Sequence, residues 1–145
     1  MLVRDILSTK QIGKIISVVT TDKVSTAAEL LSEMRIGAVI VRDAGNEMDG
    51  ILSERDIVRE LGRSGSGCLT NVVSDLMTSN VKSCTSTDTT QQVMQMMTDG
   101  RFRHMPVMDD GKLVGVISIG DVVAARIKEV QFENDSMADL IAGNI

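Results

Sequence analysis

Gly50-Ile51-Leu52-Ser53-Glu54-Arg55-Asp56 is matched 65 residues later by Gly115-Val116-Ile117-Ser118-Ile119-Gly120-Asp121. In both stretches an apolar run ends in a serine, and an aspartate follows three residues later. The match extends upstream at an offset of 66, where residues 22–43 align with residues 88–109. A further echo pairs residues 3–8 with residues 73–78. Three echoes in the same order indicate a tandem duplication, so the fold is one unit built twice.

The spacing of apolar residues predicts the same order of strands and helices in each copy. A short strand (residues 16–20 and 81–85) precedes an amphipathic helix, which Ser25 or Thr26 could cap in the first copy and Thr89 or Thr90 in the second. Two strands joined by a Gly-bearing turn follow, at residues 38–41 and 50–52, then at 105–108 and 113–117. A last helix is expected to open at Asp56 or Asp121. The pattern predicts an α/β (α+β) fold of two tandem βαββα repeats, packed sheet against sheet as a pseudo-twofold pair.

The copies also set the domain boundaries. A unit of about 60 residues is small for an independent core, so the two copies are expected to pack together. We predict a first repeat at residues 1–62, a flexible Gly/Ser-rich linker at 63–71 and a second repeat at 72–130. The tail at 131–145 could form a short helix capped by Asp135 or Ser136.

The composition excludes several classes of function. The chain has 145 residues, a formal net charge of −5 and only 1% aromatic residues, which disfavours binding of nucleic acid. One histidine and two separated cysteines cannot supply the usual four ligands of a zinc site, so no metal is expected. Without a signal peptide or a long apolar span, the sequence predicts a cytoplasmic protein with no membrane segment.

The repeated serines and aspartates are the first candidates for ligand binding. A carboxylate at the start of a helix, as predicted for Asp56 and Asp121, can accept two hydrogen bonds from a ribose diol, or it can simply cap the helix. Ser53 and Ser118 could contact a phosphate beside a helix N-terminus, or they could be turn-forming residues. Gly120 would let the backbone approach a ligand. In the first copy Arg55 stands at that position and could clamp a phosphate or exclude a nucleotide.

A basic cluster precedes the second strand of the second copy. Arg101, Arg103 and His104 suit phosphate oxygens, although a solvated loop with surface salt bridges is the plain alternative. Gly37 and Ala38 replace Arg103 and His104 in the first copy. We therefore expect two unequal clefts, with the second copy's side better equipped for phosphate.

The double Gly-x-x-Ser-x-x-Asp pattern, with Arg101-x-x-x-x-Pro106-Val107 in the second copy, resembles the cystathionine β-synthase (CBS) domain pair of the stand-alone type, across residues 3–130. The resemblance implies clefts that bind AMP, ADP, ATP, NAD(H) or S-adenosylmethionine, a flat homodimer and an unidentified regulated protein. It also implies adenine slots at residues 81–83 with Met105 and Pro106, and at residues 18–20 with residues 39–40. The resemblance extends the candidate nucleotide-binding set to Thr20, Lys23, Gly37, Ala38, Lys82, Ser83 and Ile119.

The preferred hypothesis is a regulatory adenine-nucleotide sensor. Asp121 would hold ribose, and Ser118 with Arg101 or Arg103 would bind phosphate, while Ser53, Arg55 and Asp56 act in the other cleft. One alternative is a structural or protein-interaction CBS pair with vestigial clefts. An enzyme is disfavoured, because neither a nucleophile triad nor a catalytic carboxylate pair is visible in the sequence.

Overall fold

The computed structural model describes residues 1–9 and 15–143, and within them the two copies form two small sheets flanked by helices. The first copy builds a three-stranded sheet in the order β1-β2-β3, with β1 parallel and β3 antiparallel to β2. Its elements are α1 (Val3–Thr9), β1 (Ser17–Val18), α2 (Val24–Met34), β2 (Ala38–Val41), β3 (Gly50–Ser53) and α3 (Glu54–Ser64).

The second copy repeats this order with one reduced strand. Its elements are α4 (Val73–Leu76), α5 (Thr90–Gly100), β4 (His104–Asp109), β5 (Lys112–Ser118) and α6 (Ile119–Ala142). β4 and β5 form the predicted hairpin, whose turn residues Asp110 and Gly111 both have positive φ. The strand predicted at residues 81–85 is wrong, because only an isolated parallel bridge from Cys84 to Val107 forms there.

The leading segment of each copy packs on the other copy. The Val3 N–H donates to the Asp88 carbonyl, so α1 sits on the second copy. In the same way the Val73 N–H donates to the Asp22 carbonyl and places α4 on the first copy. Val3 and Val73 are both fully buried in the cores they join. Each repeat is therefore completed by a segment that precedes its neighbour.

The two sheets face each other, as the sequence predicts. A buried cluster combines Ala38, Ile40 and Ile51 of the first sheet with Leu113 of the second. Two further clusters fill the spaces between each sheet and its own helices. Aliphatic side chains and methionines build all three, with Met97 and Met105 among the fully buried residues. The interface between the sheets fixes how the copies meet and where clefts remain.

The helices begin and end at positions that partly differ from the predictions. Thr89 caps α5 as one of the two predicted candidates, whereas Lys23 stands at the N-cap of α2 without a side-chain bond, so neither Ser25 nor Thr26 caps that helix. α3 and α6 begin at Glu54 and Ile119, two residues before the predicted starts.

Helical structure also replaces the predicted linker and the separate tail helix. α3 continues to Ser64, and a 3-10 helix spans Ser66–Thr70 with the Cys68 side chain buried. The tail is a direct continuation of α6 as far as Ala142, so Asp135 and Ser136 lie inside a helix and cap nothing. Residues 144–145 of the predicted tail lie outside the described residues.

Candidate functional site

Two clefts open between the copies. The larger has a volume of about 870 Å³ and the smaller about 350 Å³. Both values fall in the range of about 300–1,000 Å³ that is typical of sites for small molecules. Each cleft takes one wall from the first copy and one from the second.

The larger cleft joins the last strand and helix of the second copy to the strands of the first. Ser118 and Asp121 line it at the N-terminus of α6, and Gly37 and Ala38 line it at the start of β2. Ile119, which was also predicted as a site residue, lies in the same lining. Half of the remaining lining residues are large aliphatic ones: Leu7, Ile15, Ile16, Ile36, Ile40, Val114 and Val116.

The smaller cleft is the reciprocal combination. Ser53, Arg55 and Asp56 of the first copy face Lys82 and Arg101 of the second. Arg101 therefore lies with Asp56 in the smaller cleft, whereas the sequence hypothesis grouped it with Ser118. Arg101 ends α5 in the left-handed conformation, with φ of 55°. The basic segment of the second copy thus faces the aspartate of the first.

Three side chains form a partition between the clefts. Glu54, Arg103 and His104 line both. Gly37 lies directly against this partition, because a Cβ atom at Gly37 would stand 2.8 Å from both Cε1 and Nε2 of His104. The partition places Arg103 within reach of a ligand in either cleft.

Identical capping boxes fix the serine and aspartate of each cleft. The Ser118 N–H donates to Oδ2 of Asp121 (2.8 Å), and the Asp121 N–H donates to Oγ of Ser118 (3.1 Å). The corresponding distances for Ser53 and Asp56 are 2.9 and 3.2 Å. The serines are therefore the N-caps, and the aspartates occupy the third helical position, which corrects the interpretation of either aspartate as a plain N-cap. The cap uses Oδ2 of each aspartate and holds the carboxylate at the cleft wall.

Six predicted site residues lie outside the described lining of both clefts. Thr20 donates from its N–H and its hydroxyl to the Asp43 carboxylate, and the Lys23 backbone bridges to Val72. Met105 is fully buried in the core of the second copy, and its place in the adenine slot implied by the resemblance stays a prediction. The other three are Ser83, Pro106 and Gly120.

Several lining residues were not predicted from the sequence. Arg35 and Arg42 line the larger cleft, and Arg59 and Phe102 line the smaller. Arg35 could have been found through its repeat partner Arg101, since both end a helix in the left-handed conformation. No pattern in the sequence distinguished Val114 and Val116 from the core positions between which they alternate.

Three residues outside the two linings have shifted pKa values. Burial raises the pKa of the Cys84 thiol to about 12, with the charges of Asp88 and Asp109 adding to the effect. The pKa of Asp109 is lowered, because the Ser86 N–H and side chain donate to its carboxylate. The pKa of Glu129 is also lowered: burial opposes the shift, but hydrogen bonds from the N-terminal ammonium group, Arg126 and Thr90 outweigh it.

Residues 1–9 and 15–143 contain neither a cluster of metal ligands nor a helix that could span a membrane. No group of three or more His, Cys, Asp or Glu side chains there could hold a metal ion. No helix in the same ranges combines the length and apolar character needed to cross a bilayer.

The comparisons with known proteins agree on one family. The CBS domain model matches residues 3–63 and 73–128. The mitochondrial CBS domain-containing protein CBSX3 of Arabidopsis thaliana is 36% identical over 128 residues, which cover 86% of this chain and 62% of that protein. A second Arabidopsis protein, CBSCBSPB3, is 30% identical over 130 residues, which cover 88% of this chain and 23% of that protein. The chain thus spans less than two thirds of the length of these curated relatives.

Solved structures show the same architecture. The CBS-domain containing protein from Agrobacterium tumefaciens superposes with a TM-score of 0.83 at 44% identity, covering 87% of this chain and 99% of that one. The CBS domain pair of protein MJ0100, solved in complex with 5′-methylthioadenosine and S-adenosyl-L-methionine, gives a TM-score of 0.77 at 22% identity, covering 89% and 98%. The predicted fold is confirmed.

Proposed function

The chain belongs to the CBS domain family, and from that premise we propose that it is a regulatory module that binds adenine nucleotides in its two clefts and thereby modulates a partner protein. AMP, ADP or ATP is the proposed ligand, and NAD(H) shares the adenosine unit. The observation that carries the proposal is the pair of clefts between the copies, each holding an aspartate that is fixed by a capping box.

The larger cleft has a wall for each part of a nucleotide. Its aliphatic side chains, such as Ile36 and Val116, would hold the adenine base, since apolar contact suits the faces of a purine. Asp121 would accept hydrogen bonds from the ribose diol, and Arg103 would face the phosphate. Ser118 already accepts a hydrogen bond in the cap, so its remaining contribution to a phosphate is its hydroxyl proton.

The smaller cleft would use Asp56 for ribose and Arg55 with Arg101 for phosphate. Ser53 contributes less there, because its hydroxyl both accepts from the Asp56 N–H and donates to the Asp56 carboxylate (3.1 Å). The MJ0100 pair, which holds two adenosine compounds, supports adenosine as the common unit of the ligand.

Regulation requires that a ligand favour one arrangement of the copies over another. A nucleotide between the sheets contacts both copies, so it can shift their relative positions only through unequal affinity for the two arrangements. A homodimer, a regulated partner protein, a cytoplasmic location and the absence of catalysis are further parts of the proposal.

The experiment measures binding by isothermal titration calorimetry with AMP, ATP, NADH and S-adenosylmethionine. Asp56→Asn and Asp121→Asn each keep an oxygen for the cap but remove the charge that would hold ribose. We expect each variant to lose about tenfold or more in affinity at its own cleft while keeping the melting temperature. Asp135→Asn, on the exposed part of α6, is the matched control and should bind like the unchanged chain.

Two results would contradict the proposal. One is the absence of binding of all four compounds to the unchanged chain. The other is binding that Asp56→Asn and Asp121→Asn both leave unchanged. Mass spectrometry of the native protein adds an independent readout, since a nucleotide that co-purifies is identified by its mass.

A further inference from the structure

The two clefts differ strongly in charge. Five cationic side chains face two carboxylates in the smaller cleft, whereas three face two in the larger. The smaller cleft's cations are Arg55, Arg59, Lys82, Arg101 and Arg103, and its carboxylates are Glu54 and Asp56. The larger cleft's cations are Arg35, Arg42 and Arg103, and its carboxylates are Glu54 and Asp121. The excess of positive charge therefore lies in the smaller cleft.

The larger cleft, which carries the smaller excess of positive charge, has the more apolar lining. The larger cleft is lined by nine aliphatic side chains, including Ile16 and Ile40, so it favours an uncharged or weakly charged body. In the smaller cleft the large apolar side chains are Ile51, Val81 and Phe102. Size and charge thus separate the two clefts, with the roomier one being the more apolar.

The smaller cleft's cations lie at its rim. Arg55, Arg59, Lys82 and Arg101 are all exposed. The Arg59 guanidinium is 3.7 Å from Oδ1 of Asp56, which makes a loose ion pair at the surface. A polyphosphate is strongly hydrated, so a rim of exposed guanidinium and ammonium groups can neutralise it while the phosphates keep part of their water. The nucleoside part alone would then enter the 350 Å³ interior.

We propose that the smaller cleft selects adenine nucleotides with a di- or triphosphate tail, and that the larger cleft selects adenosine ligands of low charge, such as a nucleoside monophosphate or a nucleoside thioether. This inference rests on the proposed function and assigns a different ligand class to each cleft. It reverses the expectation from sequence that the side of Asp121 is the better equipped for phosphate.

The test titrates ATP and AMP into variants that each lose one cation. Arg55→Gln and Lys82→Gln change the smaller cleft, and Arg42→Gln changes the larger. Lys128→Gln, an exposed position on α6 outside both linings, is the control for net charge. We expect Arg55→Gln and Lys82→Gln each to weaken ATP binding about tenfold and AMP binding less than threefold. Arg42→Gln should weaken ATP binding less than threefold.

Salt gives a second readout. The affinity for ATP should fall more steeply than the affinity for AMP as the ionic strength rises, because the rim cations are exposed and therefore screened. In Arg55→Gln this difference in slope should become smaller.

The outcomes separate this inference from the function on which it rests. If ATP and AMP bind, but Arg42→Gln weakens ATP more than Arg55→Gln and Lys82→Gln do, the charge assignment is overturned and nucleotide binding stands. Equal loss of ATP and AMP in the smaller-cleft variants also overturns it. If neither compound binds the unchanged chain, the proposed function fails and takes the inference with it.

Discussion

Gly50 packs against Met77 and Thr78, in the segment that leads into the second copy. Replacing Gly50 by alanine tests whether this segment is part of the first copy's sheet. A Cβ atom at Gly50 would stand 2.7 Å from the Thr78 carbonyl oxygen and 2.9 Å from Sδ of Met77. The Thr78 backbone cannot simply move away, because it exchanges two hydrogen bonds with Ile51, of 3.0 and 2.9 Å. In Gly50→Ala the added methyl group therefore either clashes with Thr78 and Met77 or displaces them and breaks the two hydrogen bonds.

The magnitude follows from these contacts. Overpacking a rigid site costs about 1–3 kcal/mol. Replacing a glycine inside a strand by alanine returns about 0.5–1 kcal/mol. The midpoints of the two ranges leave a free energy of unfolding lower by about 1 kcal/mol, which lowers the melting temperature by about 3–4 °C in a chain of this size.

Two other glycines provide matched comparisons. Gly115 is the repeat partner of Gly50, but its Cβ would meet Cδ2 of Leu7 at 2.7 Å, the end of a flexible side chain that can rotate away. We expect Gly115→Ala to cost less than about 1 kcal/mol. At Gly62, within α3, no atom lies within 4 Å of the added Cβ, so Gly62→Ala should stabilise the chain by about 0.5–1 kcal/mol.

Urea unfolding followed by circular dichroism gives the three free energies on one scale. The expected order of stability is Gly62→Ala, then the unchanged chain, then Gly115→Ala, then Gly50→Ala. The reasoning is refuted if Gly50→Ala is as stable as the unchanged chain, or if Gly115→Ala is the less stable of the two repeat partners. A changed urea m-value would point to a loss of two-state unfolding instead of a local clash.

Two further predictions follow from the shifted pKa values. The Asp109 carboxylate has a lowered pKa, so it stabilises the fold above its ordinary value of 3.8, and this stability is lost as the pH falls through the lowered value. Asp109→Asn should therefore reduce the free energy of unfolding at pH 7 and have a diminishing effect below pH 3.8 in acid titrations, whereas an equal effect at every pH would contradict this account. Cys84 is buried and its pKa is raised to about 12, so in Cys68→Ser its thiol should react with Ellman's reagent at pH 8 only after urea is added, and rapid reaction of the native chain would be the opposing result.

Much of the architecture could be predicted because the same sequence pattern occurs in both copies. The hairpin at Asp110-Gly111 and the Ser-x-x-Asp helix starts depend on local sequence, and the structure has both. The reduced strand near Cys84 could not be foreseen, because pairing along an edge depends on a partner strand distant in the chain. The continuous α6 was missed for a related reason, since the sequence at Asp135 and Ser136 is compatible with both a cap and a helix interior.

The full set of residues that line the clefts was less predictable from the sequence than the repeated serines and aspartates. Ser53, Asp56, Ser118 and Asp121 line the clefts as expected, because a repeated polar residue at a helix start is visible in one dimension. Met105 is buried and lies outside both linings, which the sequence could not indicate because a core strand and a ligand-lining strand are equally apolar. Which face of such a strand meets a cleft depends on the packing of the other copy.

The crossed arrangement of the copies explains why the sequence hypothesis grouped Arg101 with Ser118 and Asp121, although Arg101 lines the smaller cleft. Counting charges within one copy gives Arg101 and Arg103 to Asp121, since they share that copy. In the folded chain Arg101, at the end of α5, lines the smaller cleft with Asp56, while Gly37 of the first copy lines the larger cleft with Asp121. Each cleft combines residues of both copies. A sequence difference in one copy therefore alters the cleft that contains the other copy's aspartate. The additional cations of the smaller cleft are Arg55 and Arg59 of the first copy and Lys82 of the second. Their repeat partners are the uncharged residues Gly120, Ala124 and Ile16. Several separate differences between the copies therefore combine to give two clefts of different chemistry.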